Sequence, residues 1–170
     1  MLRLGLSNFE HDPLDSLKNL PNLLRLNLWD EAFSGDSLHF KAGGFPKLKE
    51  IDLTRLNNLS SISIDNEALL RLEHFRFNNN PRLTVLPPDL QNLKNLQFLG
   101  FAEMPAELVD SIKEGGSCQG IINHIPLVQI RTNCGPKFHE YTLHRIPTQI
   151  TCLQYQDSNS PCCSSQEDGL

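Results

Sequence analysis

Short bursts of alternating apolar and polar residues recur along the first three-quarters of the chain. The spacing L-x-x-L-x-L, with other apolar residues allowed at the leucine positions, begins at six places: Met1, Leu23, Leu48, Leu72, Leu96 and Ile125. Successive starts are separated by 22, 25, 24, 24 and 29 residues. Side chains in a strand point to opposite faces in turn, so each copy predicts one half-buried β-strand. In the first copy this register assigns Leu4 and Leu6 to the buried face.

A fixed internal period of this kind predicts a leucine-rich-repeat solenoid. No single unit can bury its leucines alone, so neighbouring units stack and their strands form a parallel sheet. We therefore expect an α/β fold with about six repeats in a partial horseshoe and the sheet on the concave face. Prolines recur too often for a continuous helical core. Pro87-Pro88 in particular disfavours a regular helix, so extended, 3₁₀ or short helical segments are expected on the convex side.

Residues between the strand leucines would point to the concave face and form rows across the sheet. These rows combine charged residues of both signs with the only tryptophan of the chain, and Trp and Arg are the residue types that most often anchor protein interfaces. We predict a protein-binding patch formed by Arg25, Trp29, Asp30, Glu50, Asp52, His74, Arg76 and Phe98. The alternative is that Arg25 with Glu50, and Asp52 with Arg76, merely pair with one another across strands, as surface charges often do.

The triplet Asn78-Asn79-Asn80 follows the strand predicted at Phe75 and Phe77. Asn80 falls at the ninth position of its repeat, where an amide side chain can bridge the backbone of adjacent turns. We predict a structural role for Asn80, and a position on the concave rim for Asn78 and Asn79.

Composition narrows the functional classes. The net charge is −5 and no lysine or arginine run is present, which argues against nucleic-acid binding. No apolar segment approaches the roughly 18 residues that span a bilayer, and no signal-peptide h-region opens the chain. All five cysteines follow Ser117 without a disulfide or C-x-x-C spacing. We expect a cytoplasmic protein that is not an enzyme, with no cofactor, no metal site and no small-molecule substrate.

Several stretches resemble one protein family. They are GGFPKLKEIDL from Gly43, ALLRLEHFRF from Ala68, PRLTVLPPDLQNLKNLQFLGF from Pro81 and HIPLVQI from His124. Together they resemble the C-terminal leucine-rich repeats of plant nucleotide-binding disease-resistance proteins of the coiled-coil class. The resemblance implies recognition of a pathogen effector, a host guarded protein or the receptor's own N-terminal domains. It does not imply ATP binding, because the chain lacks a G-x-x-x-x-G-K-[ST] phosphate loop.

The resemblance covers residues 1–131, which we predict to be the repeat domain, N-terminally truncated. Residues 132–170 contain no further copy of the template and are rich in polar residues near the end, so we predict a largely disordered extension. We expect a fragment, a truncated paralogue or a remnant of a receptor. A functional alternative is an intracellular signalling scaffold of the Ras-signalling type, for which a regular 23-residue period would be expected.

Overall fold

A computed structural model describes residues 1–7, 9, 11–113, 115–134, 137–146 and 149–152. For residues 133, 134, 137–141, 143–146 and 149–152 it describes the backbone alone. Within these ranges the fold is built from two layers, a long sheet on one side and short irregular segments on the other.

The long sheet is parallel over six strands, one from each repeat. The strands are β1 (Leu2–Gly5), β2 (Arg25–Trp29), β4 (Glu50–Thr54), β6 (His74–Asn78), β7 (Phe98–Ala102) and β8 (Leu127–Cys134). They pair in the order β1-β2-β4-β6-β7-β8, so each strand lies beside the strand of the next repeat. The prediction of a leucine-rich-repeat solenoid with a parallel concave sheet is confirmed.

The opposite, convex layer contains short elements joined by turns. Its strands β3 (Ser37–Phe40) and β5 (Ser61–Ile64) form a separate parallel pair. The other elements are α1 (Leu14–Leu17), a 3₁₀ helix (Pro88–Asn92), α2 (Ala106–Ile112) and α3 (Gln119–Ile122). The 3₁₀ helix begins at the second proline of the Pro87-Pro88 pair. These elements match the expected extended, 3₁₀ and short helical convex segments.

Two carboxylates cover the edges of the β3–β5 pair. On the β3 side the His39 N–H donates to Asp12 Oδ2 at 2.8 Å. On the β5 side the Ile64 N–H donates to Asp89 Oδ2 at 3.1 Å. Each aspartate comes from the repeat next to the strand it caps. At each edge the carboxylate oxygen accepts the hydrogen bond that a neighbouring strand would otherwise accept. The backbone N–H at the open edge of the sheet is therefore paired.

The hydrophobic core lies between the two layers. The inward residues of the middle strands, among them Leu26, Ile51, Phe75 and Leu99, are completely buried. Phe40 on the convex side meets Phe75 edge-to-face with 6.4 Å between the ring centroids. A column of stacked rings then continues from Phe75 to Phe77 at 4.4 Å and on to Phe101 at 5.4 Å. These rings come from the second, fourth and fifth repeats.

The register of the first strand corrects the sequence prediction. Leu2 pairs with Leu26 and Leu4 with Leu28, whereas the template assigned Leu4 and Leu6 to those places. Leu6 is 78% exposed and has a positive φ of 52°. Leu6 cannot occupy the buried position because β1 ends at Gly5, and the chain turns away from the sheet at Leu6. With the observed register, consecutive strands are offset by 24, 25, 24, 24 and 29 residues.

The chain bends through the left-handed region just after each of five strands. The residues concerned have φ between 47° and 53°: Leu6, Asp30, Arg55, Asn79 and Glu103. Each donates its backbone N–H to a carbonyl of the next repeat, for example Asn79 to Ala102 at 2.8 Å. Non-glycine residues avoid this region unless surrounding contacts impose it. The stacked hydrogen bonds thus hold a sharp corner at one rim of the concave face.

The long sheet continues after residue 131. Strand β8 continues to Cys134, β9 (Lys137–Ile146) pairs with it antiparallel, and β10 (Gln149–Cys152) pairs with β9. These residues continue the sheet by hairpin pairing, which leaves no trace in the repeat template. Residues 153–170 lie outside the described part of the chain.

Three carboxylates that are exposed or only half-buried have pKa values lowered by ion pairs. Hydrogen bonds from Lys41 and Lys18 lower the pKa of Asp15, one from His39 lowers that of Asp65, and one from Lys49 lowers that of Glu73. A carboxylate with a lowered folded-state pKa stabilises the fold above its ordinary pKa. That contribution is lost as the pH falls through the lower, folded-state value.

We predict that the melting temperature falls between about pH 4.5 and pH 2, and that the fall is smaller in Asp65→Asn. Thermal denaturation followed by circular dichroism across this range measures the slope. Glu107→Gln, in the exposed first turn of α2, is the matched control. If the melting temperature of Asp65→Asn fell with pH as steeply as that of the parent chain and the control, Asp65 would not be one of the carboxylates that cause the fall.

Candidate functional site

The concave face presents three rows of side chains, set by the strand register. One row contains Arg25, Glu50, His74, Phe98 and Leu127; the next contains Arg3, Asn27, Asp52, Arg76, Gly100 and Gln129; the third contains Gly5, Trp29, Thr54, Asn78, Ala102 and Arg131. Neighbours within a row lie on adjacent strands, about 4.8 Å apart. Seven of the eight predicted patch residues stand in these rows, and Asp30 is the exception.

Two ion pairs cross the sheet within these rows. Arg25 Nη2 lies 3.0 Å from Glu50 Oε1, and Arg76 Nη1 lies 3.4 Å from Asp52 Oδ1. These are the pairs that the alternative interpretation proposed. Exposed pairs of this kind add little to stability. They nevertheless fix where each charge points, so a partner would meet side chains that are already oriented.

Asp30 lies at the rim, at one of the left-handed corners, with a φ of 47°. Its carboxylate pairs with the guanidinium Nε of Arg55, at the corner of the next repeat. The sequence did not single out Arg55, because the row pattern describes strand residues and both partners lie after their strands. Asp30 is therefore engaged within the rim and does not stand beside Trp29 as an open charge.

An aromatic cluster occupies the face toward β7. The Phe98 ring lies across Gly100, where a Cβ would come within 2.8 Å of its Cε1 atom. The Arg76 guanidinium carbon lies 5.1 Å from the centre of the same ring, which is the geometry of a cation–π contact. On the other side the His74 ring approaches to 5.9 Å. His74 Nδ1 is buried there and bonds no other described residue.

A second aromatic position lies toward β1. Trp29 is 40% exposed, and its indole covers Gly5 on the adjacent strand, where a Cβ would come within 2.5 Å of Cε2. Only a glycine leaves room for the ring at this place. Beside it is a shallow cleft of about 230 Å³, lined by Arg3, Asn27, Leu28, Trp29, Asp52 and Thr54.

The sequence prediction omitted three polar residues of this cleft, Arg3, Asn27 and Thr54. The observed register puts Arg3 opposite Asn27 and in the same row as Asp52. The alternation of Leu2, Leu4 and Leu6 alone did not determine this placement. The shifted template placed Arg3 beside Arg25 instead. The observed pairing of β1 with β2 thus places Arg3 in the same cleft as Trp29, which the sequence did not indicate.

The described residues show no group of three or more His, Cys, Asp or Glu side chains placed to hold a metal ion. Among the same residues, no helix is both long and apolar enough to cross a bilayer. What the described concave face does present is exposed aromatic surface, oriented arginines and two carboxylates. That combination suits a protein surface.

Comparison with known proteins shows a consistent set of relatives. The chain is 30% identical over 137 residues to the disease resistance protein RPM1 of Arabidopsis thaliana, covering 78% of this chain and 15% of that protein. It is 31% identical over 120 residues to the probable disease resistance protein RF45 of the same plant, covering 71% and 12%. The disease resistance protein RPP8 is 28% identical over 125 residues, covering 74% and 14%.

No protein-family model matches the chain, and no solved structure matches it. The chain spans about one-seventh of the length of the curated relatives it matches. These relatives nevertheless belong to the same family that the quoted sequence segments resemble. The chain is a relative of the leucine-rich-repeat region of plant disease-resistance proteins of the coiled-coil, nucleotide-binding class.

Proposed function

We propose that this chain is a non-catalytic protein-recognition module acting in plant defence, and that its partner binds the concave face. The observation that carries the proposal is a pair of solvent-accessible aromatic side chains on that face, the exposed Trp29 and the half-buried Phe98. Trp29 over Gly5 and Phe98 over Gly100 stand on either side of the oriented charges of Glu50, Asp52 and Arg76. Aromatic and arginine side chains dominate the binding energy of protein interfaces.

The rigidity of the face supports the same function. Its residues lie on strands that pair continuously from β1 to β8, so the backbone beneath them is fixed. Arg25 is held by Glu50, and Arg76 is held by Asp52 and by the Phe98 ring. Because less side-chain freedom is lost on association, a pre-oriented surface binds with a smaller entropic cost.

The relatives carry names of disease resistance proteins, and this is the support for a defence role. Within that role the partner is a pathogen effector, a host protein under surveillance, or the N-terminal domains of a nucleotide-binding receptor. The proposed location is the cytoplasm. The alternative of a Ras-signalling-type scaffold gains no support from the register, because no strand-to-strand offset equals 23 residues.

We predict that the double variant Trp29→Ala with Arg76→Glu loses partner binding by at least about tenfold. The full chain, immobilised, is incubated with extract from pathogen-challenged leaves, and retained proteins are quantified by mass spectrometry. Proteins kept by the parent chain should be lost from the variant. The substitution removes the exposed indole and breaks the Arg76 contact with Phe98, yet both side chains are surface groups, so the fold is retained.

The control is Arg82→Glu, which reverses an exposed arginine outside the three concave rows. It should retain the same proteins as the parent chain. Circular dichroism spectra of all three proteins establish that they are folded. Equal retention by the double variant and the parent chain would refute the concave binding face.

A further inference from the structure

The concave face differs in charge from the rest of the chain. The chain as a whole carries a net charge of −5. The three concave rows contain four arginines, namely Arg3, Arg25, Arg76 and Arg131, against the two carboxylates of Glu50 and Asp52. Their formal charge is therefore +2. An acidic protein thus turns a positive surface toward the place where its partner would bind.

The type of cation is also uniform. Every cation of the three rows is an arginine, and no row contains a lysine. The guanidinium group is planar and offers a fork of N–H donors that matches a carboxylate, whereas an ammonium group is a strongly hydrated point charge. A face that used its cations only to repel or to stay soluble would have no reason to prefer arginine.

Arg3 is the cation of this face that stands next to the Trp29 cleft. It makes no ion pair with another described residue. The nearby Asp52 is already engaged: Oδ1 lies 3.4 Å from Arg76 Nη1, and Oδ2 lies 3.2 Å from the Asn27 amide nitrogen when that amide is oriented to donate. The guanidinium of Arg3 consequently remains available at the edge of the cleft.

The cleft has the size of a side chain. Its volume of about 230 Å³ is below the roughly 300 to 1,000 Å³ typical of sites for small-molecule ligands. Trp29 lines it together with Asn27, Thr54 and Asp52, and the Asp52 carboxylate is already paired with Arg76. Such a cleft offers an apolar surface for a methylene stem and polar groups for its tip.

We propose that the Trp29 cleft receives an aspartate or glutamate side chain from an acidic segment of the protein partner. Arg3 binds the carboxylate, and the indole of Trp29 packs against the aliphatic stem. The proposal rests on the proposed recognition function and names the chemistry of its partner. It favours a protein over a nucleic acid, because Glu50 and Asp52 on the same face would repel a continuous phosphate backbone.

The test uses Trp29 as its own reporter, since it is the only tryptophan of the chain. A random twelve-residue peptide library on phage is selected against the full chain, and the enriched peptides are synthesised and titrated while Trp29 emission is followed. We expect enrichment of Asp and Glu next to apolar residues and a change in Trp29 emission on binding. Affinity should fall as salt rises from about 50 to about 300 mM.

Arg3→Glu is expected to weaken these peptides by at least about tenfold, and Arg3→Gln by less. Arg82→Glu is the matched control and should bind as the parent chain does. Replacing Asp and Glu of the best peptide by Asn and Gln should produce the same loss as Arg3→Glu. Because Arg3 is exposed and lies at the sheet edge, both variants should keep the parent circular dichroism spectrum.

The outcomes separate this proposal from the broader function. Enriched peptides that are neutral or basic, but that no longer bind Trp29→Ala, would overturn the acidic-partner inference and leave protein recognition intact. Peptides insensitive to every concave substitution would contradict both. Absence of an acidic consensus, or Arg3-dependent binding of a single-stranded DNA oligonucleotide in preference to the peptides, would also overturn the inference.

Discussion

Phe75→Ala is expected to lower the free energy of unfolding by about 4 kcal/mol, in the range for large-to-small changes at buried aromatic residues. Phe75 is completely buried on β6. It contacts Phe40 of the convex layer edge-to-face and stacks on Phe77. Its removal leaves a cavity between the two layers and interrupts the ring column that joins three repeats.

Urea denaturation followed by circular dichroism measures this loss. Phe98→Ala is the matched control, because Phe98 lies on the concave face and is half-buried. It gives up contacts with Arg76 and His74 but opens no internal cavity, so a loss below about 1.5 kcal/mol is expected. Equal effects of the two substitutions would mean that the Phe40–Phe75 contact does not hold the layers together.

The order of the strands and the membership of the concave rows from β2 onward could be predicted from the sequence. Each of those strands is preceded by an apolar residue three positions ahead of the first buried one, as Leu48 precedes Ile51. That extra position fixes the phase of the alternation, because shifting a strand by one residue would turn its apolar residues to solvent. Burial of Ile51 and Leu53 and partial exposure of Asp52 follow directly.

In the first strand the apolar residue three positions ahead of Leu4 is Met1, and this marker selected the wrong register. Leu2, Leu4 and Leu6 alternate perfectly with polar or small residues, so the pattern is equally compatible with two registers that differ by two positions. Both registers send the same parity of residues to the core. Only pairing with β2 distinguishes them, and that pairing places Gly5 under Trp29. The location of Arg3 opposite Asn27, in the row that also contains Asp52, therefore required the structure.

Contacts outside the repeating strands were likewise beyond the sequence pattern. The Asp30–Arg55 pair joins two rim corners, and the caps of Asp12 and Asp89 bind backbone groups of other repeats. These bonds depend on how the convex segments of adjacent repeats are aligned. Segments of variable length and composition carry no periodic signal, so their alignment is set by three-dimensional packing.

Asn80→Ala is expected to lower the free energy of unfolding by about 3 kcal/mol, since a buried group left without its hydrogen bond costs roughly 1 to 3 kcal/mol. Asn80 is fully buried. Its Oδ1 accepts from the Leu56 N–H at 3.0 Å, and its Nδ2 donates to the Leu53 carbonyl at 3.0 Å. Both partners belong to the preceding repeat. Alanine would leave one donor and one acceptor unsatisfied in the core.

The effect should be local to the junction of two repeats, because stability in a solenoid is a sum of unit and interface terms. Hydrogen exchange followed by nuclear magnetic resonance should show faster exchange of the Leu56 amide in Asn80→Ala, alongside the loss measured by urea denaturation. Asn78→Ala is the control two residues away: its side chain is exposed at the end of β6, so a change within about 0.5 kcal/mol is expected. If the Leu56 backbone N–H stayed protected in Asn80→Ala, the Asn80 side chain would not be the group that joins these turns. The packing of Leu53 and Leu56 would then have to account for their stability.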